Sequence, residues 1–244
     1  MHARVALLIV MAPMVSALAQ SPAKPINLKV LPDTLSRDAV INIMGGFTRA
    51  LGVQCTYCHV AKNGTRSTDE EFPIDSLEGK RVARAMLQMV QDINARHLRG
   101  VFDISRDFTS VTCVTCHRGV INPRSLESEM QAAYQRGGVD SAMAHYRGLR
   151  ARYYGRAAYD FSDVAVVTLA GRIASTPANR SDALRLMQFN LEFNGNSWFT
   201  YQQIAELQAA MGDTVAAISS VQKGLVINPD RASLKDLLAR LQRP

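Results

Sequence analysis

Two short stretches, Cys55-Thr56-Tyr57-Cys58-His59 and Cys113-Val114-Thr115-Cys116-His117, hold every cysteine of the chain. In each, two thiols are separated by two residues and a histidine follows at once. Two thiols one helical turn apart match the two vinyl groups on one porphyrin edge, and the next residue can bring its imidazole under the metal. The pattern is the attachment signature of c-type haem, so the chain is expected to carry two covalently bound haems c. Cys55, Cys58, Cys113 and Cys116 are the expected anchors, and His59 and His117 the expected proximal ligands.

Competing readings of the cysteines fare worse. A four-thiolate zinc site usually places its Cys pairs about 15 to 20 residues apart, whereas Cys58 and Cys113 are much further apart. A thioredoxin-like dithiol requires a βαβ context, and no such pattern surrounds either pair. Two local disulfides would leave both histidines unexplained.

The N-terminus has His2 and Arg4, an apolar run from Val5 to Leu18 and the tripeptide Ala17-Leu18-Ala19. This predicts a secretory signal over 1–19, cleaved after Ala19. The run is shorter than the roughly 20 residues that cross a bilayer, so no membrane span is expected after cleavage. The chain is therefore expected to be exported to the periplasm, or to lie peripheral to a membrane. With 244 residues, 47% hydrophobic and 20% charged, it is too apolar for wholesale disorder. The net charge of +7 comes from Lys and Arg interleaved with acids, which argues against nucleic acid as a partner.

Ahead of the first motif, Val40, Ile43, Met44, Phe47 and Leu51 recur at helical spacing, opened by Ser36 and Asp38 and closed by Gly52. From Met44 to Gly52 such a helix covers about 12 Å, which lets the chain turn and set the Met44 sulfur over the far face of a porphyrin. The bland alternative is that Met44 fills the core. A second helix is expected from about Leu77 to Leu98, with Val82, Met86, Met89, Ile93 and His97 on one stripe. Met86, Met89 and His97 could each reach a metal, and periodicity does not choose among them.

The phrases Asn27-Leu28-Lys29-Val30-Leu31-Pro32, Met44 through Gln54, Arg84-Ala85-Met86-Leu87-Gln88-Met89, and Val111 through Gly119 resemble the cytochrome c subunit of photosynthetic reaction centres and its shorter dihaem relatives. The resemblance covers about residues 26 to 122. It implies that each haem lies between a helix that supplies a methionine and a helix that bears the Cys-x-x-Cys-His motif. It further implies Met44 as sixth ligand of the first haem and Met86 as sixth ligand of the second. The family subunit is a tandem of two such dihaem units, whereas this chain has one. His97 then has no inherited partner and reads as a surface or supporting residue.

Beyond Pro123 cysteines disappear and alanine-rich helical segments alternate with Gly-Asp or Asn-Pro breaks. Ala183 and Ala217, Leu191 and Leu225, and Asn194 and Asn228 match at a period of 34, which resembles a tetratricopeptide repeat. Gly138 to Tyr146 looks like a degenerate half repeat. The basic, aromatic stretch Arg147 to Arg156 reads as a solvated helix end.

The expected fold is all-α: a signal over 1–19, a dihaem cytochrome domain over 20–125, a helical linker or degenerate repeat over 126–163, and tetratricopeptide-like repeats over 164–244. The expected function is electron transfer, without catalysis. Its partner is expected to be a redox protein, such as a membrane electron-transfer complex engaged by the repeats. A dihaem peroxidase-like enzyme is the rival if one haem lacks its sixth ligand. The other rival is a binding module in which the haems serve as sensor or tether.

Overall fold

The computed structural model describes residues 24–64, 66–99 and 110–243. The expected signal over 1–19 lies outside the described residues. The described residues are all-α and contain no strand. In chain order the helices are α1 (Arg37–Leu51), α2 (Glu78–Asp92), α3 (Cys113–His117), α4 (Leu126–Tyr153), α5 (Asp163–Ala174), α6 (Arg180–Asn190), α7 (Trp198–Ala210), α8 (Thr214–Ile227) and α9 (Ala232–Leu241).

The chain divides into two compact units, one drawn from Met1–Gly46 and Cys55–Gln88, the other from Phe47–Gln54 and Met89–Pro244. In the first unit, α1 starts where expected: the Ser36 hydroxyl accepts from the Ala39 N–H at 3.2 Å, meeting one of the donors a helix start leaves unpaired. A loop after the first cysteine motif is tied by Glu71, whose carboxylate accepts from the N–H groups of Lys62 (2.9 Å) and Thr68 (2.8 Å). Those bonds hold its pKa below the usual carboxylate range, the Thr68 N–H foremost. Asp75 then gathers Lys29 at 2.7 Å, Lys80 at 2.9 Å and Arg84 at 2.9 Å. These bonds, led by that from Arg84, hold its carboxyl far below the ordinary range.

In the second unit, α1 ends at Gly52, whose φ of +67° is the left-handed stop that a helix C-terminus favours. The expected second helix is α-helical to Asp92 and then widens into a π-helical turn over Ile93–Leu98. Periodicity foretold its length and not this change of pitch. α4 is broken at Gly137 and at Gly138, where φ is +69°, so the segment from Gly138 to Tyr146 begins a new helical piece.

The main core lies where α4, α5 and α6 meet. Leu126, Met130, Tyr146, Val166, Leu169 and Leu186 are all fully buried there. A smaller core of Ala205, Ala217, Val221, Leu234 and Leu237 joins α7, α8 and α9. α5 packs on α6, and α7 on α8. Positions 34 apart share their environments: Ala183 and Ala217 are fully buried, and Leu191 and Leu225 each pack against the edge of a core. Between α5, α6 and α7, Asn190 is buried and donates to Thr200 Oγ1 at 3.0 Å and to the Asp163 carbonyl at 3.2 Å. The stretch Arg147 to Arg156 is more than a solvated end. Arg150 stacks 3.9 Å from the Tyr154 ring and 4.8 Å from Phe193, and Arg147 lies 4.6 Å from Phe189.

Candidate haem-attachment sites

The first motif occupies a tight helical turn. The N–H groups of Cys58 and His59 both donate to the Cys55 carbonyl, at 3.2 and 3.0 Å, so both thiols project from one turn. The intervening Tyr57 is packed against α2: a methyl group on Gly79 would lie 2.7 Å from the Tyr57 carbonyl oxygen. Glycine is therefore required where α2 passes the motif. Burial pushes the Cys58 thiol up, helped by Cys55, and lowers the His59 imidazole.

His59 donates from Nδ1 to the Phe72 carbonyl at 3.0 Å, and the Phe72 ring meets the imidazole edge-on with centroids 5.0 Å apart. A carbonyl can only accept, so the bond fixes the proton on Nδ1 and leaves Nε2 as a lone pair available to a metal. Met44 stands on α1, half-buried, in the same unit as Cys55, Cys58 and His59.

The second motif is α3 itself, wholly in the second unit. Its approach is set by Asn94 on the π-helical turn. The Asn94 amide donates to the Val111 carbonyl and accepts from the Val111 N–H, both at 2.8 Å. Thr115 then accepts from the Thr112 N–H at 3.0 Å and caps the short helix. After His117 the chain reverses through Arg118 (φ +48°) and Gly119 (φ +89°). That reversal brings the Val120 carbonyl back to His117 Nδ1 at 2.9 Å.

The buried His117 is thus held as His59 is, with Nδ1 tethered to a main-chain carbonyl and Nε2 left to bind. Burial raises the Cys113 thiol. All four cysteines are free, and none is joined in a disulfide.

Two thiols and one pre-oriented imidazole in each motif form the donor set that haem c requires. The surroundings fit too. α1 buries only Ala50 and α2 buries nothing, although both carry apolar stripes. Ile41, Tyr57 and Val82 of the first unit are each about half exposed, which gives apolar surface for a flat hydrophobic group to cover. Of the methionines in question, the half-buried Met86 belongs to the first unit and Met89, 45% exposed, to the second. His97 is exposed on the π-helical turn.

Three positioning groups escaped the sequence reading. Asn94 is one, and it could have been suspected from an amide set in a helix whose periodicity was fading. The carbonyls of Phe72 and Val120 are main-chain atoms and leave no trace in residue type. A cavity of about 540 Å³ beside α3 is lined by Arg49, Arg118, Arg152 and Arg156 together with Tyr153, and its basic character arises from residues far apart in sequence.

Residues 65–154 match the family model described as photosynthetic reaction centre cytochrome C subunit. This stretch contains the second cysteine motif and α4. It begins after the first motif, so it differs from the span of about 26 to 122 that the sequence phrases suggested. A photosynthetic reaction center cytochrome c subunit of Rubrivivax gelatinosus is 31% identical over 99 residues, covering 37% of this chain and 25% of the relative. Cytochrome c-554 of Chloroflexus aurantiacus is 31% identical over 102 residues, 42% of this chain and 22% of the relative. The chain thus spans about a quarter of the length of these curated relatives. Part of the chain, including the second Cys-x-x-Cys-His motif, is thus similar to the photosynthetic reaction centre cytochrome c subunit family.

Proposed function

We propose that the protein is an exported dihaem c-type cytochrome that passes single electrons to and from a redox partner. The observation that carries this reading is the common treatment of the two motif histidines. Each donates Nδ1–H to a main-chain carbonyl, at 3.0 Å for His59 and 2.9 Å for His117, and so presents Nε2 in a fixed orientation. Haem bound at such a site supplies reversible one-electron redox chemistry. The chain's own residues anchor the group through Cys55, Cys58, Cys113 and Cys116, and orient it through the tethered imidazoles.

Met44 and Met86 are the proposed sixth ligands, as the family resemblance implies. A thioether ligand from Met44 or Met86 would raise the potential of the haem it held and close the metal to exogenous ligands, which favours electron transfer over peroxidase chemistry. The proposed organisation is a haem-bearing part over 20–125, a helical connection over 126–163 and tetratricopeptide-like repeats over 164–244. The shared burial of positions 34 apart supports the repeats. The arginine-lined cavity beside α3 favours a partner with an acidic surface. Among the described residues no helix is long and apolar enough to cross a membrane, consistent with a protein that docks onto a membrane complex.

The test is haem content together with far-red absorption of the oxidised holoprotein. Two haems per chain are expected, falling to one when Cys113 and Cys116 are both replaced by Ala. A methionine-to-metal band is expected that weakens in Met44→Ala and in Met86→Ala and vanishes in the double variant. Persistence of the full band in Met86→Ala, with loss in Met89→Ala, moves the second ligand to Met89. A second haem without a methionine band favours the peroxidase-like reading.

A further inference from the structure

We propose that Lys80 raises the reduction potential of the haem attached at Cys55 and Cys58, acting through the carbonyl oxygen of Phe72. The inference rests on the cytochrome reading above and concerns a residue whose bonds go to Phe72 O, Ile74 O and Asp75 and not to the cysteines or His59.

Phe72 O accepts two bonds. One comes from His59 Nδ1 at 3.0 Å and the other from Lys80 Nζ at 2.8 Å. Lys80 Nζ also donates to the Ile74 carbonyl at 3.0 Å and pairs with Asp75 at 2.9 Å. Its side chain is only 11% exposed, so its charge is weakly screened by salt. This ammonium is fixed by three acceptors, one of which is the carbonyl that tethers His59.

Two effects follow, and they point the same way. An imidazole whose Nδ1–H is held by a strong acceptor becomes more basic and favours the oxidised metal. An ammonium on the same carbonyl draws electron density from it and makes it a weaker acceptor, so His59 is less electron-rich. The ammonium's own field also opposes the additional positive charge of the oxidised state. Asp75 offsets only part of that field, because the one carboxylate is shared among Lys29, Lys80 and Arg84. At the second site His117 is tethered in the same manner to Val120 O, and among the described residues no cation is bonded to that carbonyl. Lys80 is therefore a positioning and tuning residue specific to the first haem.

The experiment is a spectroelectrochemical titration of the full holoprotein, comparing wild type with Lys80→Gln and Lys80→Arg. The two couples are assigned with a Cys113→Ala, Cys116→Ala variant, which retains only the first haem. Lys80→Gln is expected to shift the first couple toward the oxidised form by a factor on the order of ten, about 59 mV for one electron. The second couple is expected to stay in place, and Lys80→Arg to return the first to its wild-type value. An unchanged first couple, or an equal shift of both, overturns the proposal.

Should Lys80→Gln mature without its first haem, Asp75→Asn replaces it. Leaving Lys80 less compensated, it must move the first couple upward, and an unmoved couple again overturns the proposal. The haem count of the wild type separates the two levels: no covalent haem at Cys55 and Cys58 removes the cytochrome reading itself, whereas two haems with an insensitive first couple remove only the role of Lys80.

Discussion

Gly52 and Gly119 stand so close that a methyl group on the first would lie 2.2 Å from the carbonyl oxygen of the second. The Gly119 N–H donates to the Ala50 carbonyl at 2.8 Å, so the end of α1 is joined to the turn that follows His117. Both glycines have positive φ, but a methyl group on Gly119 would meet nothing within 4 Å.

The two positions should therefore respond differently to alanine. Gly119→Ala should cost about 1–2 kcal/mol, the penalty of the left-handed region alone. Gly52→Ala adds a backbone collision and should cost more. Thermal melts of the two variants check the order, with each 1 kcal/mol appearing as about 2–4 °C in a chain of this size. Equal shifts would mean that the close approach is not maintained in solution.

Asp75 gives a pH-dependent prediction. Its carboxyl is held far below the usual range by Arg84, Lys29 and Lys80, so its contribution is full above the unfolded-state pKa of about 3.9 and declines as pH falls below it. Asp75→Asn should lower the denaturant midpoint at pH 7, and the gap from wild type should narrow at about pH 3. A gap that is constant across this range would show that the carboxylate charge contributes nothing.

Asn94 holds both main-chain groups of Val111. Asn94→Ala leaves both without their partner and should cost about 1–3 kcal/mol. Because this clasp sets the approach to α3, the variant should also mature with less haem at Cys113 and Cys116 than at Cys55 and Cys58. Haem content per chain measures the deficit, and full loading would confine Asn94 to a role in stability.

Tyr146 is fully buried, with Phe161, Phe189 and Phe193 at centroid distances of 5.6, 5.2 and 5.1 Å. Tyr146→Ala should cost about 3–5 kcal/mol by cavity formation. Chemical denaturation followed by circular dichroism checks it, and a loss below about 1 kcal/mol would show that the α4 core does not hold the second unit together.

The legible parts of this protein are those written in side-chain type and period. Ser36, Asp38 and Gly52 bracket α1 within a residue of its observed ends, because capping and left-handed termination are local. The cysteine motifs are legible because their spacing is the chemistry. The widening of the second helix over Ile93–Leu98 is not, and the tie between Asn94 on that turn and Val111 joins residues too far apart in sequence for periodicity to reveal. Nor is the aromatic stacking of Arg147 and Arg150, which needs Phe189 of α6 and Phe193 of the turn that follows it. The Asp75 cluster likewise joins residues whose sequence separation conceals their association.

The tethers on His59 and His117 end on main-chain oxygens, and that choice of atom has an evolutionary consequence. A side-chain acceptor can be lost by a single codon change, whereas a peptide carbonyl survives every substitution that preserves the local path of the chain. Residues 72 and 120 can thus change identity without loss of the acceptor atom itself, although the Phe72 ring also packs on His59. Selection can then retune each site through neighbours such as Lys80 without first having to rebuild it.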